Sequence, residues 1–246
     1  MSAAPRRLGL IGCGRIARPV IDTWRDGGLA GWTITGVLAR GMHDLGPLKS
    51  TDDPDAFFAS PYELIVEAAG PPALAQHGVR ALAVAEVWTV SAAALADEAL
   101  LSAVRNAGEK AGHRLRVVSG AMAGLDGVAM ASVDPEVELQ LDIDLMPGEG
   151  PRSLVFCGTV REAAVRYPNG VNVAAAAALA GPGMDLARIR VSHPGAVPQR
   201  QLGLTATSRY GTVRASVSPL VGPGVHPVAA SLVAALRETL KTVWVG

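Results

Sequence analysis

Cysteine is scarce in this sequence, and its scarcity excludes two classes of protein. Cys13 and Cys157 are the only two in 246 residues, too few for the disulfide framework of a small secreted protein. Neither belongs to a cluster of cysteine and histidine with the spacing of metal ligands, so we expect no metal site. This cysteine usage is typical of a protein in the reducing cytoplasm.

Net charge and long apolar runs are also missing. Lys plus Arg and Asp plus Glu both number 22, so no overall field favours a nucleic acid or a membrane surface as partner. The longest apolar region, 81–96, contains Glu86 and is too short to cross a bilayer. Glycines interrupt the apolar run near the N-terminus, so we expect no signal peptide. We therefore expect a globular, cytoplasmic protein.

A glycine-rich turn follows the first apolar run. Residues 8–11 lead into Gly-x-Gly-x-x-Ala, and a segment compatible with a helix begins at Arg18. In this order of strand, turn and helix, Gly12 makes the tight turn, Gly14 lets a pyrophosphate approach the backbone, and Ala17 lets the helix pack on the strand. The motif predicts dinucleotide binding at the helix N-terminus. The residues expected to touch the cofactor here are Gly12, Cys13, Gly14, Arg15 and Ile16.

The end of the second predicted strand, 32–40, bears on the choice of cofactor. NAD-binding folds usually carry an acidic residue there for the ribose 2′-hydroxyl, whereas arginine suits the 2′-phosphate of NADP. Here the strand ends in Ala39 and Arg40, and no acid follows until Asp44. We expect NADP, or both NADP and NAD, with Arg40 at the 2′-phosphate; the alternative is an ordinary solvated arginine.

Strands and helices alternate up to residue 118, which predicts an α/β fold with a Rossmann-type parallel sheet. Ligands bind such sheets at the carboxyl ends of the strands. Small residues occupy these ends, so the backbone can approach a flat cofactor, although an alanine-rich composition alone would also place them there. The strand ends add Ala69, Gly70 and Ala92 to the expected cofactor contacts. The predicted strands are 63–70, 87–91 and 114–118, and the predicted helices are 18–25, 71–83 and 97–111.

The pattern changes after Val133. Residues 136–145 alternate apolar and polar side chains, as a half-exposed antiparallel strand does. Short strands and helices follow, which predicts a second, α+β domain on a mostly antiparallel sheet, and 226–243 is predicted to be a closing helix that returns to the first domain. The expected domains are 1–120 for the dinucleotide, completed by 226–246, and 121–225 for substrate and dimerisation.

Two further blocks are more diagnostic than the glycine motif. They are Ser119-Gly120-Ala121-Met122-Ala123-Gly124-Leu125-Asp126 and the stretch 156–181, which begins Phe156-Cys157-Gly158-Thr159-Val160-Arg161-Glu162. With these blocks the sequence resembles the L-aspartate dehydrogenase family, in order from residue 8 to 190. The resemblance implies a two-domain, dimeric, NAD(P)-dependent oxidoreductase acting on the CH–NH2 group of an amino acid. It also implies that Ala121 and Asn172 lie close to the nicotinamide.

The second half departs from the family where the acid–base histidine would lie. That histidine falls, without a gap, at Gln201, and the family's preceding Asp-Pro is His193-Pro194 here. A later Asn-Pro-Lys-Thr-Ser segment appears as His226-Pro227-Val228-Ala229-Ala230, and a basic Arg-Lys-Pro stretch has no clear counterpart. Glutamine cannot carry a proton, so the catalytic candidates are His193, His226 and a water held by Gln201. Each histidine has the alternative of a loop residue beside a proline.

These features predict hydride transfer between a nicotinamide and a C–N carbon. The expected partner is a small molecule: an amino acid, a keto acid plus ammonia, or an imine, with a homodimer expected from the resemblance. Two alternatives stay open, a catalytically silent NAD(P)-binding sensor, favoured by the missing histidine, and an imine reductase with a substrate other than aspartate.

Overall fold

The computed structural model describes residues 4–41, 43–196, 199–220, 222 and 226–243. The chain forms two compact units. Unit 1 comprises Met1–Ser91, Asp97–Val118 and Val228–Val245, and unit 2 comprises Ala92–Ala96 and Ser119–Pro227, as far as these residues are described. Each unit has its own β-sheet.

Seven strands form the sheet of unit 1. They are β1 (Arg6–Ile11), β2 (Trp32–Leu38), β3 (Asp44–Leu45), β4 (Leu48–Thr51), β5 (Leu64–Glu67), β6 (Glu86–Thr89) and β7 (Leu115–Val117). Their order is β3-β4-β2-β1-β5-β6-β7. All neighbouring pairs are parallel except β3 with β4. The predicted Rossmann-type sheet is therefore confirmed.

Eight α-helices lie in the described part of the chain. They are α1 (Ala17–Arg25), α2 (Pro54–Phe58), α3 (Pro71–Val84), α4 (Glu98–Ala111), α5 (Leu125–Ala131), α6 (Val160–Arg166), α7 (Asn172–Ala180) and α8 (Pro227–Glu238). Residues Ala92–Ala96 add one short 3-10 helix. Asp97 caps α4 by accepting the backbone N–H of Ala99 at 2.8 Å, so the residue that sequence patterning placed inside this helix is its N-cap.

The core of unit 1 lies between its parallel sheet and helices that include α8. Leu8 and Val66 from the sheet and Leu232 and Leu236 from α8 are buried in one cluster. The indole N–H of Trp32 donates to the carbonyl of Leu236 at 3.1 Å, which fixes α8 on this core. Burial of this apolar stripe stabilises the helix, because each fully buried leucine contributes roughly 2 kcal/mol.

Unit 2 is built on a five-stranded sheet that α5, α6 and α7 contact. Its strands are β8 (Glu138–Asp144), β9 (Ser153–Thr159), β10 (Arg188–His193), β11 (Leu202–Ser208) and β12 (Gly211–Val217), in the order β12-β11-β8-β10-β9. Three neighbouring pairs are antiparallel, and β8 with β10 is parallel, so the predicted mostly antiparallel sheet is confirmed. Alternate residues of β8 are buried, and α7 contributes a run of five buried alanines, 174–178.

Four elements were not anticipated from the sequence: β3, β4, α5 and the 3-10 helix. Strands as short as β3 leave too few residues for an alternating pattern to show. The closing helix was predicted to reach Val243 but ends at Glu238. The last turn tightens there, because the Thr239 hydroxyl donates to the carbonyl of Leu236 at 2.7 Å and Leu240 N–H to that of Arg237 at 3.1 Å. The helix prediction was therefore too long at its C-terminal end.

Candidate active site

Gly12 forms the turn at the carboxyl end of β1. Its φ is +106°, a backbone conformation that residues with a side chain rarely adopt. Its N–H donates to the carbonyl of Leu38 at 2.7 Å. A Cβ built on Gly12 would lie 2.9 Å from Cβ of Ala69 and 3.1 Å from the carbonyl group of Ala68. Glycine is required here twice over, by the backbone conformation and by the close approach of the chain after β5.

The N-terminus of α1 beyond this turn has the properties of a phosphate cradle. No side chain caps the helix at Ile16, and its first turn carries no acidic residue. The first N–H groups of a helix have no intrahelical partners and bear partial positive charge, so they suit an anion. A Cβ at Gly14 would meet nothing within 4 Å. Open space next to an uncapped helix end fits the pyrophosphate of a dinucleotide.

The side chains of the glycine loop divide into two groups. Cys13 and Ile16 are half-buried and pack against the core of unit 1, whereas Arg15 is exposed. Cys13 is thus a small packing residue whose contribution to a ligand would come from its backbone. This loop brings five of the predicted cofactor residues to one sheet edge, beside Ala69.

A buried carboxylate that sequence analysis missed holds the turn after β5. Glu67 is 1% exposed, and its Oε1 accepts the backbone N–H groups of Ala69 at 2.7 Å and Gly70 at 2.8 Å. Its Oε2 accepts the hydroxyl of Thr89 at 2.6 Å. Burial raises the pKa of Glu67, and these hydrogen bonds oppose the rise. The turn predicted to touch cofactor is therefore held in shape by Glu67, and a glutamate in an otherwise apolar strand is the signal that could have revealed it.

Arg40 lies just beyond β2 and is exposed. Its carbonyl oxygen is 3.0 Å from Nε2 of His43. Within the described residues its guanidinium makes no hydrogen bond or ion pair, so its donors are available to a ligand.

In unit 2, Asn172 holds the 3-10 helix that contains Ala92. Asn172 is the first residue of α7, and its side-chain carbonyl accepts the N–H of Ala93 at 3.0 Å. Within the part of the chain that the structure describes, the side-chain amide N–H groups of Asn172 make no hydrogen bond and remain for another acceptor. Ala121 lies in a half-buried turn between β7 and α5 that contains Gly120 with φ +65°.

Arg161 fixes the same 3-10 helix from its other end and was not singled out from the sequence. One Nη donates to the carbonyl of Ala96, and Nε and the other Nη form a bidentate pair with Asp185 at 2.6 and 2.8 Å. This pairing lowers the pKa of Asp185. The 3-10 helix is thus held by Asn172 and Arg161 together.

Strand pairing brings two of the three catalytic candidates to one edge of the sheet of unit 2. Gln201 pairs with Asp144 at the end of β8, since Asp144 N–H donates to the Gln201 carbonyl at 2.9 Å and Gln201 N–H to Asp144 Oδ2 at 2.8 Å. Asp144 is also in register with Ser192, which directly precedes His193. The Gln201 side chain accepts the Ser218 hydroxyl at 2.8 Å. Gln201 therefore has both its backbone and its side-chain oxygen in structural contacts.

His193 is held by the loops around it. The N–H of Gly195 donates to its Nδ1 at 3.2 Å, so the neutral ring carries its proton on Nε2. A Cβ at Gly148 would lie 2.9 Å from that Nε2, so backbone crowds this nitrogen. In this arrangement His193 has no free lone pair for a base. His226 is half-buried and directly precedes α8.

The described residues offer neither a cluster of metal ligands nor a membrane-spanning helix. Among them, no three or more histidine, cysteine, aspartate or glutamate side chains come together as they would around a metal ion. None of the described helices is both long and apolar enough to pass through a membrane.

The parallel sheet with its glycine turn and uncapped helix defines unit 1 as the nucleotide-binding part of an oxidoreductase, and comparison with known proteins agrees. Residues 12–118 match the homoserine dehydrogenase NAD-binding domain, and residues 117–239 match the C-terminal domain of aspartate dehydrogenase. The chain belongs to the L-aspartate dehydrogenase family. It is an NAD(P)-dependent oxidoreductase of the amino-acid dehydrogenase class, as the sequence predicted.

Two relatives illustrate this membership, and one solved structure shares the fold. L-aspartate dehydrogenase 1 of Bordetella pertussis is 34% identical over 236 residues, 88% of each chain. L-aspartate dehydrogenase of Ruegeria pomeroyi is 36% identical over 199 residues, 72% of this chain and 71% of that one. The crystal structure of aspartate dehydrogenase from Thermotoga maritima has a TM-score of 0.81 at 19% identity and covers 99% of this chain and 100% of that chain, which shows the shared fold.

Proposed function

We propose that this oxidoreductase prefers NADP and transfers a hydride between the nicotinamide and the C–N carbon of an amino acid or its imine. The observation that carries the cofactor site is the open space at Gly14 in front of the uncapped N-terminus of α1. Arg40, whose guanidinium has no partner within the described residues, supports the choice of NADP. When bound, the nicotinamide supplies or accepts the hydride, and the chain orients it.

The relatives named L-aspartate dehydrogenase make aspartate, or oxaloacetate plus ammonia, the first substrate to test. Asn172, whose amide N–H groups have no partner among the described residues, and Ala121 are the proposed contacts near the nicotinamide. A proton must also move in reductive amination, and Gln201 cannot carry it. We assign that proton to His226 or to a water near Gln201, because His193 would first have to release the N–H of Gly195.

The deciding experiment follows NADPH oxidation with a panel of keto acids plus ammonia and with preformed and cyclic imines. NADPH binding is measured separately on the same protein by fluorescence titration. Turnover with one keto acid or imine identifies the substrate. Measurable NADPH binding without turnover of any compound would contradict the proposed reaction and favour a silent NAD(P)-binding sensor.

Assembly and location complete the proposal. We propose a homodimer, as the family resemblance implies, in the reducing cytoplasm, where two unpaired thiols are stable. Light scattering coupled to size-exclusion chromatography measures the mass in solution, and a mass of one chain at micromolar concentration would contradict the dimer.

A further inference from the structure

Arg200 is a half-buried cation with unused hydrogen-bond capacity. It directly precedes β11 in unit 2. Its Nε is closed off from solvent and has no hydrogen-bond partner among the residues that the structure describes. The described contact of its guanidinium is a weak one, between Nη1 and Sδ of Met146 at 3.6 Å.

The neighbouring carboxylate is already committed to other donors. Asp144 is 1% exposed, and its two oxygens accept Arg152 Nη2 at 2.6 Å and Nη1 at 3.0 Å in a bidentate pair. Its Oδ2 also accepts the N–H of Gln201 at 2.8 Å. The charge of Asp144 acts on Arg200 without a hydrogen bond between them, so the Arg200 guanidinium has no ion-pair partner of its own among the described residues.

That arrangement is costly unless a ligand completes it. Burial lowers the pKa of Arg200, and the charge of Asp144 only opposes this shift without reversing it. A buried charge with incomplete pairing destabilises a fold, and an unmade hydrogen bond of a buried donor adds to the cost. Asp144 does not need Arg200, because Arg152 and Gln201 already satisfy it.

We propose that Arg200 binds a carboxylate group of the substrate, next to the sheet edge that carries Gln201 and His193. A guanidinium presents two parallel N–H donors that match the two oxygens of a carboxylate. A bound carboxylate would supply both the missing counterion and the acceptor for the unused donors. The identity of this carboxylate as the substrate's rests on the proposed function; the anion site itself does not.

The test measures succinate binding to the protein by isothermal titration calorimetry, with and without NADPH. Succinamide, which has the same carbon skeleton without charge, is the ligand control. Arg200→Gln should weaken succinate binding about 10- to 100-fold, the usual loss for hydrogen bonds between charged groups. Arg190→Gln is the matched control variant, because Arg190 is an exposed arginine of the same sheet paired with Asp142, and it should bind succinate as the wild type does.

A readout on stability separates ligand binding from a structural role. If Arg200 only supported the fold, Arg200→Gln would unfold at a lower temperature, whereas we expect an unchanged or higher midpoint together with weaker binding. If Arg200→Gln does not fold, Arg200→Lys decides, because it keeps the charge and loses the two-pronged geometry. Lysine there should still weaken succinate binding several-fold, and unchanged affinity would overturn the proposal.

The other outcomes of the calorimetry also support or overturn the proposed carboxylate site. No succinate binding by the wild type, or equal binding of succinamide, overturns the carboxylate site. Succinate binding that depends on Arg200, in a protein that turns over none of the keto acids or imines, supports the site while the proposed function fails. Absence of NADPH binding would count against the cofactor assignment alone.

Discussion

Gly12 and Gly14 lie two residues apart, yet the structure predicts opposite consequences for adding a methyl group to each. At Gly12, alanine would have to keep a φ of +106°, which costs roughly 1–3 kcal/mol for a residue with a side chain. Its Cβ would also lie 2.9 Å from Cβ of Ala69, and overpacking of this kind costs roughly 1–3 kcal/mol. Gly12→Ala should therefore lower the free energy of unfolding by about 2–6 kcal/mol.

Gly14→Ala should leave stability nearly unchanged. Its φ lies outside the left-handed region and a Cβ there meets nothing within 4 Å, so loss of backbone freedom in the unfolded chain could even add about 0.4–1 kcal/mol. The methyl group would instead occupy the space into which we place the pyrophosphate. NADPH affinity should fall at least about tenfold, since the backbone can no longer approach the phosphates.

Urea unfolding with and without NADPH measures both effects at once. Trp32 and Trp88 are buried in unit 1, so their fluorescence reports on its unfolding. At a concentration of about 100 times the wild-type Kd, NADPH should stabilise the wild type by about 2.7 kcal/mol, and a variant that binds tenfold more weakly by about 1.4 kcal/mol. Wild-type stability in Gly12→Ala would refute the packing argument. Wild-type stabilisation by NADPH in Gly14→Ala would refute the location of the cradle.

Three further predictions concern Glu67, Arg40 and Asn172. Because the pKa of Glu67 is raised in the folded state, the stability that Glu67 contributes is full below the ordinary carboxyl value of 4.5 and is lost as pH rises through the folded pKa. Glu67→Gln should remove this pH dependence of the unfolding midpoint, and a variant with the same pH profile as the wild type would contradict the prediction. Arg40→Ala should weaken NADPH about 10- to 100-fold in fluorescence titration and change NADH less than threefold, whereas equal weakening of both would exclude a 2′-phosphate contact. Asn172→Ala should lower the free energy of unfolding in urea by about 1–2 kcal/mol, because the N–H of Ala93 loses its acceptor. Asn172→Asp keeps an acceptor oxygen and should retain most of that stability. Equal loss of stability in both variants would argue against the hydrogen bond.

The Rossmann-type sheet was predictable because its signals are local. The apolar run Leu64-Ile65-Val66 of β5 and the glycine turn after β1 are formed by residues that neighbour each other in the sequence. The α+β character of unit 2 followed from the alternation in β8. The family, the oxidoreductase class and the NAD(P) cofactor also followed from motifs whose residues are contiguous in the chain.

The pattern of apolar and polar residues could not predict which strands pair with each other. Alternation in β8 predicts one buried face, but it says nothing about its neighbours, and β8 turns out to be antiparallel to β11 and parallel to β10. That arrangement alone places Gln201 beside Asp144, which is separated from it by 57 positions in the chain. The predicted site residues themselves stay predictions until they are tested.

The sequence by itself determined which backbone segments can form a dinucleotide cradle, because glycine, small residues and an apolar run act within a few positions of each other. Only the tertiary structure decided which charged side chains are buried and which are paired. Glu67 became the buried support of the turn after β5. Asp144 came to be paired with Arg152, which leaves Arg200 without an ion pair among the residues that the structure describes. Charge pairing and burial depend on segments that are distant in the chain, and neither composition nor periodicity specifies which of them meet.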